Sequence, residues 1–264
     1  MFNNIQQKIV SRYLRTEHNQ DFWGNLYRLS LSKMNYGPGG EINNSGEKNI
    51  INRVKESYNN NEKIIVFDVG ANIGGYTNMV LNCLGDRAQI HAFEPSLQTF
   101  EMLRKNVTSN QVQLNNFGCS NTTHNMSLYS DKSGSGMTSV YNRRLDFVGI
   151  SMKETEQSKF MRIDDYCQEN KIGHIHLLKL DIEGHELSAL HGASNMISSN
   201  NIDHIQFEFG GCNIDSKTYF QDFYYLLHDK YDIYRILQNG IHRIDNYSTY
   251  LEIFVTVNYL AIHR

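Results

Sequence analysis

The sequence predicts an α/β fold, a mostly parallel sheet with helices on both faces. Two observations predict it: short, nearly all-apolar segments begin after Lys63, and helical patterns separate them. The first segment, IIVFDVG over residues 64–70, suits a strand that is buried on both faces of a parallel sheet. Because a helical stretch follows most of these segments, we expect repeated βαβ units.

The first 62 residues have a different pattern, which we interpret as an N-terminal helical extension with a loop that serves as a lid or a connector. Apolar residues recur at helical spacing from residue 3 to about residue 34, and glycine and asparagine concentrate in residues 35–47. Asn44 and Glu47 have the spacing of a capping box, which would begin a helix that runs to about Tyr58. The main α/β domain is then expected over residues 63–264.

The main domain contains further elements in alternation. Strands are predicted at residues 89–95, 112–118, 176–182 and 204–210, and helices at residues 77–84, 97–107, 185–197 and 219–228. Ser96 is the expected N-cap of the second of these helices. Residues 120–160 are polar and contain several glycines, and we interpret them as an excursion off the sheet edge. Strand patterns on both sides of Asn239 and Gly240 predict an antiparallel pair that closes the sheet.

Composition and charge exclude several classes of protein. The 264 residues are 40% apolar and include only two prolines, which is incompatible with a disordered or collagen-like chain. The 25 basic residues against 28 acidic ones give a net charge of −3. The sequence has no run of basic residues, so we expect no nucleic-acid partner. No apolar run approaches the roughly 20 residues of a membrane span, and no secretion signal marks the N-terminus. We therefore expect a cytoplasmic protein.

The loop after the first predicted strand and the end of the second predict a nucleoside pocket. The candidate residues of the loop are Asp68, Gly70, Ala71, Asn72, Gly74 and Thr77. Glycines there let a ligand approach the main-chain N–H groups, and the carboxylate of Glu94 can accept both hydroxyls of a ribose. Asn72 replaces the second glycine of the dinucleotide fingerprint and would crowd a pyrophosphate. S-adenosylmethionine is therefore preferred to NAD as the ligand.

The segments FDVGANIGGYT, HAFEP, LLKLDIEGHELSALHGA and IQFEFGG resemble the motifs of the FkbM family of S-adenosylmethionine-dependent methyltransferases. The similarity covers approximately residues 45–264, and LKLDIEGHE is its most distinctive block. The resemblance implies a Rossmann-like class I methyltransferase fold, with a seven-stranded sheet whose last strand is antiparallel. It also implies O-methylation of a bacterial glycan, of a polysaccharide precursor or of a secondary metabolite.

The resemblance further implies roles for individual residues. Within the loop, Gly70, Asn72, Gly74 and Thr77 would line the methionine tail of the donor. Glu94, followed by Pro95, would bind the ribose. The turn after the third strand would lie beside the adenine, and it consists of Gly118, Cys119 and Ser120.

The catalytic candidates lie at the ends of the fourth and fifth predicted strands. The fourth strand brings Asp181, Glu183 and His185 to the sheet edge, and Glu208 ends the fifth. Methyl transfer to a hydroxyl is an in-line displacement that also releases a proton, which an imidazole or a carboxylate can accept. His185 is the first candidate base, followed by Glu183 and Glu208, and Asp181 is a candidate for both the donor site and the catalytic site. Asp181 and Glu208 could instead bind a divalent cation, but no ligand spacing dictates a metal site and none is predicted.

Two alternatives to a sugar O-methyltransferase stay open. One is an NAD-dependent oxidoreductase, and the other is a nucleoside-binding module without catalytic activity. The chain lacks the Asn/Asp-Pro-Pro-Tyr/Phe turn that usually accompanies methylation of an amino nitrogen. This absence disfavours DNA bases and glutamine amides as acceptors.

Overall fold

The computed structural model of the protein describes residues 17–37, 45–132 and 134–264. The helices are α1 (Gln20–Lys33), α2 (Glu47–Ser57), α3 (Gly75–Leu84), α4 (Leu97–Asn106), α5 (Ile163–Glu169), α6 (Glu186–Gly192), α7 (Ser194–Ser198), α8 (Cys212–Ser216) and α9 (Phe220–Leu227). The strands are β1 (Ile64–Val69), β2 (Ala88–Phe93), β3 (Val112–Asn115), β4 (Gly118–Cys119), β5 (His124–Ser130), β6 (Glu154–Met161), β7 (Ile175–Leu180), β8 (Ile202–Phe209), β9 (Tyr231–Leu237), β10 (Gly240–Ile244) and β11 (Val257–His263). Within the described ranges, no helix combines the length and the apolar character that crossing a membrane requires.

Eight strands form the central sheet in the order β10-β9-β11-β8-β7-β1-β2-β3. The five strands from β3 to β8 in this order are parallel, whereas β11 is antiparallel to both β8 and β9. The predicted seven-stranded sheet with an antiparallel last strand is confirmed, and β10 adds an eighth strand at the edge. The hairpin between β9 and β10 turns at Gln238 and Asn239, one residue earlier than predicted.

The sheet is covered by helices on both faces because successive residues of a buried strand point to opposite sides. Val66 of β1 belongs to the apolar cluster that includes Ile51 of α2 and Val80 of α3. The next residue, Phe67, belongs to the cluster on the other face, which includes Leu190 of α6. Helix α2 is thus part of the layer that covers the sheet, and the division into units 1–62 and 63–264 stays a prediction.

Helix α2 begins in a different register from the predicted capping box. Gly46 is the N-cap, in a left-handed conformation with φ of 89°, and Glu47 is the first helical residue. The predicted capping box would make Glu47 the third helical residue, so this prediction is wrong. Its other member, Asn44, lies outside the described ranges, as do residues 38–43. A Cβ on Gly46 would lie 2.1 Å from the carbonyl oxygen of Leu237, so this contact requires glycine. The Glu47 side chain is buried, and it accepts a hydrogen bond from Gln206 Nε2 at 2.8 Å.

The predicted excursion contains a second sheet of three strands, in the order β4-β6-β5. β5 pairs with β6 in antiparallel register, and β4 pairs with β6 in parallel. An antiparallel bridge between Tyr129 and Ser139 places Ser139 beside β5, the edge strand of this small sheet. Residues 135–140 are thereby brought to the carboxyl ends of the central strands.

Candidate functional site

The loop after β1 passes very close to the end of β7. Gly70 has φ of 86°, and a Cβ at this position would lie 1.9 Å from the carbonyl oxygen of Asp181. The N–H groups of Gly70 and Ala71 both donate to the carbonyl of Phe93 at 3.0 Å. Because these contacts join the loop to β7 and to β2, three strand ends meet at one point of the sheet edge.

Glu94 is buried at this edge and is held by the backbone. Its Oε2 accepts a hydrogen bond from the N–H of Asn72 at 3.0 Å, and its Oε1 accepts one from the N–H of Ser96 at 2.9 Å. Burial raises the pKa of Glu94 to about 7, although both hydrogen bonds favour the charged form. A carboxyl group fixed in this way has lone pairs left for the hydroxyl groups of a ligand.

A first cavity opens where β1, β2 and β7 end. It is lined by Gly70, Asn72, Glu94, Pro95, Gly118, Cys119, Asp181, Glu183 and His185, all of which the sequence predicts as site residues. Leu128 and Phe160 of the small sheet add an apolar wall, and Ser135 to Val140 cover the cavity in part. The structure therefore brings most of the predicted donor-binding residues together, and it adds a covering segment to which the sequence analysis assigned no role.

A second cavity adjoins the first and extends across the end of β8. The two share Gly70, Asn72, Gly136, Asp181 and Glu183. The remaining walls of the second cavity are Glu47, Ala71, Ile73, Gly75, Tyr76, Lys179 and Glu208. The first cavity combines three carboxyl groups and a histidine with backbone and apolar groups, whereas the second is lined by four carboxyl groups and one lysine.

Lys179 is buried in β7 and is already paired. Its Nζ lies 3.2 Å from Asp181 Oδ2 and 3.5 Å from Asp68 Oδ1, and it lies over the ring of Tyr76. Burial by itself lowers the pKa of Lys179, but the carboxylates of Asp181, Asp68 and Glu47 outweigh it and raise the pKa above its ordinary value. Lys179 is therefore a permanent positive charge that two aspartates neutralise.

Glu183 forms a short ion pair with Arg143, which comes from the segment between β5 and β6. The same guanidinium group lies 3.7 Å from Asp215 Oδ2. Burial raises the pKa of Glu183 to about 7, against the lowering effect of Arg143. Like Lys179, Arg143 is thus shared between two carboxyl groups.

Glu208, near the end of β8, differs from the other carboxyl groups of the second cavity. Its side chain forms no hydrogen bond or ion pair with any described residue, although it is only 8% exposed. Burial raises the pKa of Glu208 well above its ordinary value, and the nearby Asp181 and Glu183 raise it further. Glu208 faces a cavity without a direct ion-pair partner among the described residues, although the positive charge of Lys179 lowers its pKa in part.

His185 lies on the side of the first cavity, away from Glu208. Its Nε2 is 2.9 Å from the Ser120 hydroxyl and its Nδ1 is 3.1 Å from the Tyr141 hydroxyl. Burial lowers the pKa of His185 to about 4, so the ring is neutral near pH 7. Both ring nitrogens are occupied, which weakens the prediction that His185 is the base. The backbone is left-handed at Glu183 (φ 54°) and Gly184 (φ 102°), which turns the chain and separates the side chain of His185 from that of Glu183.

Four predicted donor-binding residues line neither cavity, namely Asp68, Gly74, Thr77 and Ser120, and the first three lie behind the loop. The Thr77 hydroxyl donates to Asp68 Oδ2 at 2.6 Å, and Asp68 is fully buried. A Cβ on Gly74 would lie 2.5 Å from the Val107 side chain, so Gly74 serves the packing of the loop against the helical layer. The structure gives these residues a supporting position, and their direct contact with the donor stays a prediction.

Several residues of the two cavities were missed in the sequence analysis. Lys179 carried a signal, because a charged residue in the middle of the apolar run HLLKLDI needs a buried partner. Tyr76 lies beside the predicted Thr77 but was assigned no role, and Glu47 carried no comparable signal because it comes from a segment far away in the chain. The same holds for Arg143, which lines neither cavity but pairs with Glu183. Their contribution depends on how α2, α3 and the small sheet pack on the central sheet.

Residues 68–236 match the protein family described as Methyltransferase FkbM domain. Among curated proteins, the hexuronic acid methyltransferase AglP of Haloferax volcanii is 26% identical over 172 residues, which are 62% of this chain and 64% of that protein. Among solved structures, the methyltransferase FkbM of Methylobacillus flagellatus KT has a TM-score of 0.45 at 19% identity, over 77% of this chain and 44% of that chain. A SAM-dependent O-methyltransferase of Thermotoga maritima has a TM-score of 0.41 at 10% identity, over 82% and 64%. The chain thus spans less than two thirds of each of these relatives.

Proposed function

The chain belongs to the FkbM methyltransferase family, and from this premise we propose that it transfers a methyl group from S-adenosylmethionine to a hydroxyl group of a sugar. The observation that carries the proposal is the pair of adjoining cavities at the carboxyl edge of the sheet. One has the residues that suit a nucleoside, and the other has ionisable side chains that suit a polar acceptor. They meet at Gly70, Asn72 and Asp181, where the reacting atoms would lie.

The first cavity fits the donor. Glu94 offers carboxylate oxygens to the ribose hydroxyls, while Cys119, Leu128 and Phe160 provide apolar surface for the adenine. Asn72 Oδ1 is buried and has no hydrogen-bond partner among the described residues, so it can accept a hydrogen bond from the ammonium group of the donor. When bound, S-adenosylmethionine supplies an electrophilic methyl group and a sulfide leaving group.

The second cavity would hold the acceptor and receive its proton. With the donor bound, the acceptor oxygen would displace the sulfide from the methyl carbon, and a carboxylate of the second cavity would accept the hydroxyl proton. Glu208 is our choice for this proton acceptor, because it faces the cavity without a partner and its pKa is raised. General base catalysis of this kind commonly contributes about 10² to 10⁴ in rate. Asp181 and Glu183 would orient the acceptor through their remaining lone pairs.

A sugar is the acceptor class that the surroundings favour. Carboxyl groups accept hydrogen bonds from the hydroxyls of a carbohydrate, and Tyr76 adds an aromatic surface to the same cavity. The Haloferax relative is a hexuronic acid methyltransferase by name, which supports a sugar-modifying role at the family level. We propose a glycan precursor or a glycosylated metabolite as the substrate, with residues 63–264 forming the catalytic domain.

Methyl transfer can be tested directly with a donor that carries a labelled methyl group and a panel of sugars and sugar nucleotides. We expect label in a sugar product and micromolar binding of S-adenosylhomocysteine by calorimetry. Binding of NAD without binding of S-adenosylhomocysteine would instead indicate the oxidoreductase. Binding of S-adenosylhomocysteine without transfer to any acceptor would favour the nucleoside-binding module.

The choice of base can be tested by comparing two variants with conservative substitutions. Glu208→Gln is expected to lower kcat by about 10² to 10⁴ while donor binding stays close to that of the wild type. His185→Gln is expected to act mainly on donor binding, since His185 lines only the first cavity. The reverse pattern would restore His185 as the base.

A further inference from the structure

Two carboxyl groups and a thiol converge beside the second cavity. One ligand atom each of Glu183, Glu208 and Cys212 lies within 4.8 Å of the other two. The three residues come from the loop after β7, from β8 and from the first position of α8. We propose that Glu183, Glu208 and Cys212 bind a divalent transition-metal ion, whose open coordination position faces the second cavity.

The unpaired state of Glu208 is the observation that points to a cation. Glu208 is only 8% exposed, and its side chain has no hydrogen-bond or ion-pair partner among the described residues. A buried carboxylate without a counter-charge is costly, and a second carboxylate within 4.8 Å increases that cost. Either a proton or a bound cation must compensate for the charge.

The basic side chains that lie nearby already form ion pairs with other carboxyl groups. Lys179 is shared between Asp68 and Asp181 at 3.5 and 3.2 Å. Arg143 pairs with Oε2 of Glu183 and lies 3.7 Å from Asp215, so Oε1 of Glu183 is left for another ligand. Neither basic side chain forms an ion pair with Glu208, and an external cation fits the remaining position.

The donor set favours a transition metal over magnesium. Thiolate is a soft ligand that selects ions such as Zn²⁺, whereas magnesium takes oxygen ligands. Three protein ligands with a fourth position open to a cavity are also the arrangement of catalytic zinc sites. The sequence analysis considered a cation only on Asp181 and Glu208, because residues 183, 208 and 212 have no spacing of a known metal motif.

An ion at this place would be able to bind an oxygen of the acceptor, a consequence that rests on the proposed function. Glu208 would then be a ligand of the ion, so its proposed role as proton acceptor applies to the protein without the ion. Metal binding itself requires neither donor nor acceptor. It can therefore be measured on the full chain alone, and a failure to find a sugar acceptor would not affect the result.

Titration of the chelator-treated full chain with Co²⁺ tests the proposal, because a cobalt–thiolate bond has a charge-transfer absorption in the near ultraviolet. We expect one equivalent of Co²⁺ to produce this band and Zn²⁺ to remove it by displacement. Cys212→Ser should lose the band, and Glu208→Gln should weaken binding by at least about tenfold. Cys83→Ser, which removes a buried thiol of α3 that lines neither cavity, is the matched control and should keep the band.

The wild-type titration decides the question even if a variant fails to fold. Absence of the band at a large excess of Co²⁺ would overturn the proposal and would indicate that a proton alone compensates Glu208. Equal binding by the wild type and by folded Cys212→Ser would also overturn it, because the ion would then lie elsewhere. Circular dichroism in the near ultraviolet establishes that each variant is folded.

Discussion

Replacement of Glu94 by glutamine tests the donor site most directly. Both carboxylate oxygens of Glu94 accept backbone hydrogen bonds, and the side chain lines the first cavity. Glutamine keeps one oxygen and replaces the other by an amide NH₂, which removes the negative charge and one acceptor. A hydrogen bond to a charged group contributes about 1.5–3 kcal/mol. We therefore expect Glu94→Gln to weaken binding of S-adenosylhomocysteine by about 10- to 100-fold.

The same substitution should also lower stability, because the new NH₂ group faces a backbone N–H donor of Asn72 or Ser96. A buried donor left without an acceptor costs about 1–3 kcal/mol, which urea denaturation can measure. Donor binding must therefore be measured by calorimetry at a temperature at which the variant is fully folded. The loss of donor affinity can then be distinguished from the loss of stability.

Glu156→Gln is the matched control for this experiment. Glu156 accepts hydrogen bonds from the Ser96 hydroxyl at 2.9 Å and from the N–H of Leu97 at 2.7 Å, at the start of the same helix. It does not line the first cavity. The control should lose stability and keep its donor affinity. Equal affinities for wild type and Glu94→Gln, or an equal loss in both variants, would refute the assignment of Glu94 to the ribose.

The pH dependence of donor binding provides a further test of Glu94. The pKa of Glu94 rises from 4.5 to about 7 in the folded protein. Protonated Glu94 therefore stabilises the fold fully below pH 4.5, and this stabilisation is lost as pH rises through about 7. The free energy of unfolding falls by about 3 kcal/mol over this range. Donor hydroxyls favour the charged carboxylate, so affinity for S-adenosylhomocysteine should increase as pH rises through about 7. Glu94→Gln should show no such increase in calorimetry.

Two stability predictions concern the packing at the sheet edge. Gly70→Ala places a Cβ 1.9 Å from the Asp181 carbonyl and should lower the free energy of unfolding by about 3 kcal/mol, whereas Gly149→Ala, at a similar φ of 74° with open space, should cost about 1 kcal/mol. Equal costs in urea denaturation would contradict the close approach. Lys179→Met leaves Asp181 and the fully buried Asp68 without their counter-charge, and a loss of about 3–5 kcal/mol is expected. A loss below about 1 kcal/mol would mean that this ion pair is not needed for folding.

The strands at the centre of the sheet could be predicted from the sequence because each is buried on both faces and is therefore a run of consecutive apolar residues. All six residues of β7, for example, are buried, and the run HLLKLDI is apolar at most positions. Once such runs are assigned to parallel strands, their following residues must meet at one edge. Gly70, Glu94 and Asp181 were found in this way, and all three line the first cavity.

The sequence was less informative where a side chain's direction depends on a turn. His185 follows Glu183 by two residues, and their side chains would point to one side only if the backbone stayed extended. The left-handed backbone at Glu183 and Gly184 instead directs His185 toward Ser120. The capping box at α2 is wrong for a similar reason, since Gly46 fits against the Leu237 carbonyl and so fixes where the helix begins.

The sequence by itself determined the class of fold, the order of its central elements and the loop that a nucleoside would need, because local apolar patterns and glycines specify strands and turns. Only the tertiary structure decided which side chains share a cavity. Glu47 and Glu208 are far apart in the chain but line one cavity, and Arg143 pairs with Glu183 of the same cavity. The packing of α2 and of the small sheet on the central strands brings them there. That packing results from many distant contacts acting together, and no short segment of the sequence encodes it.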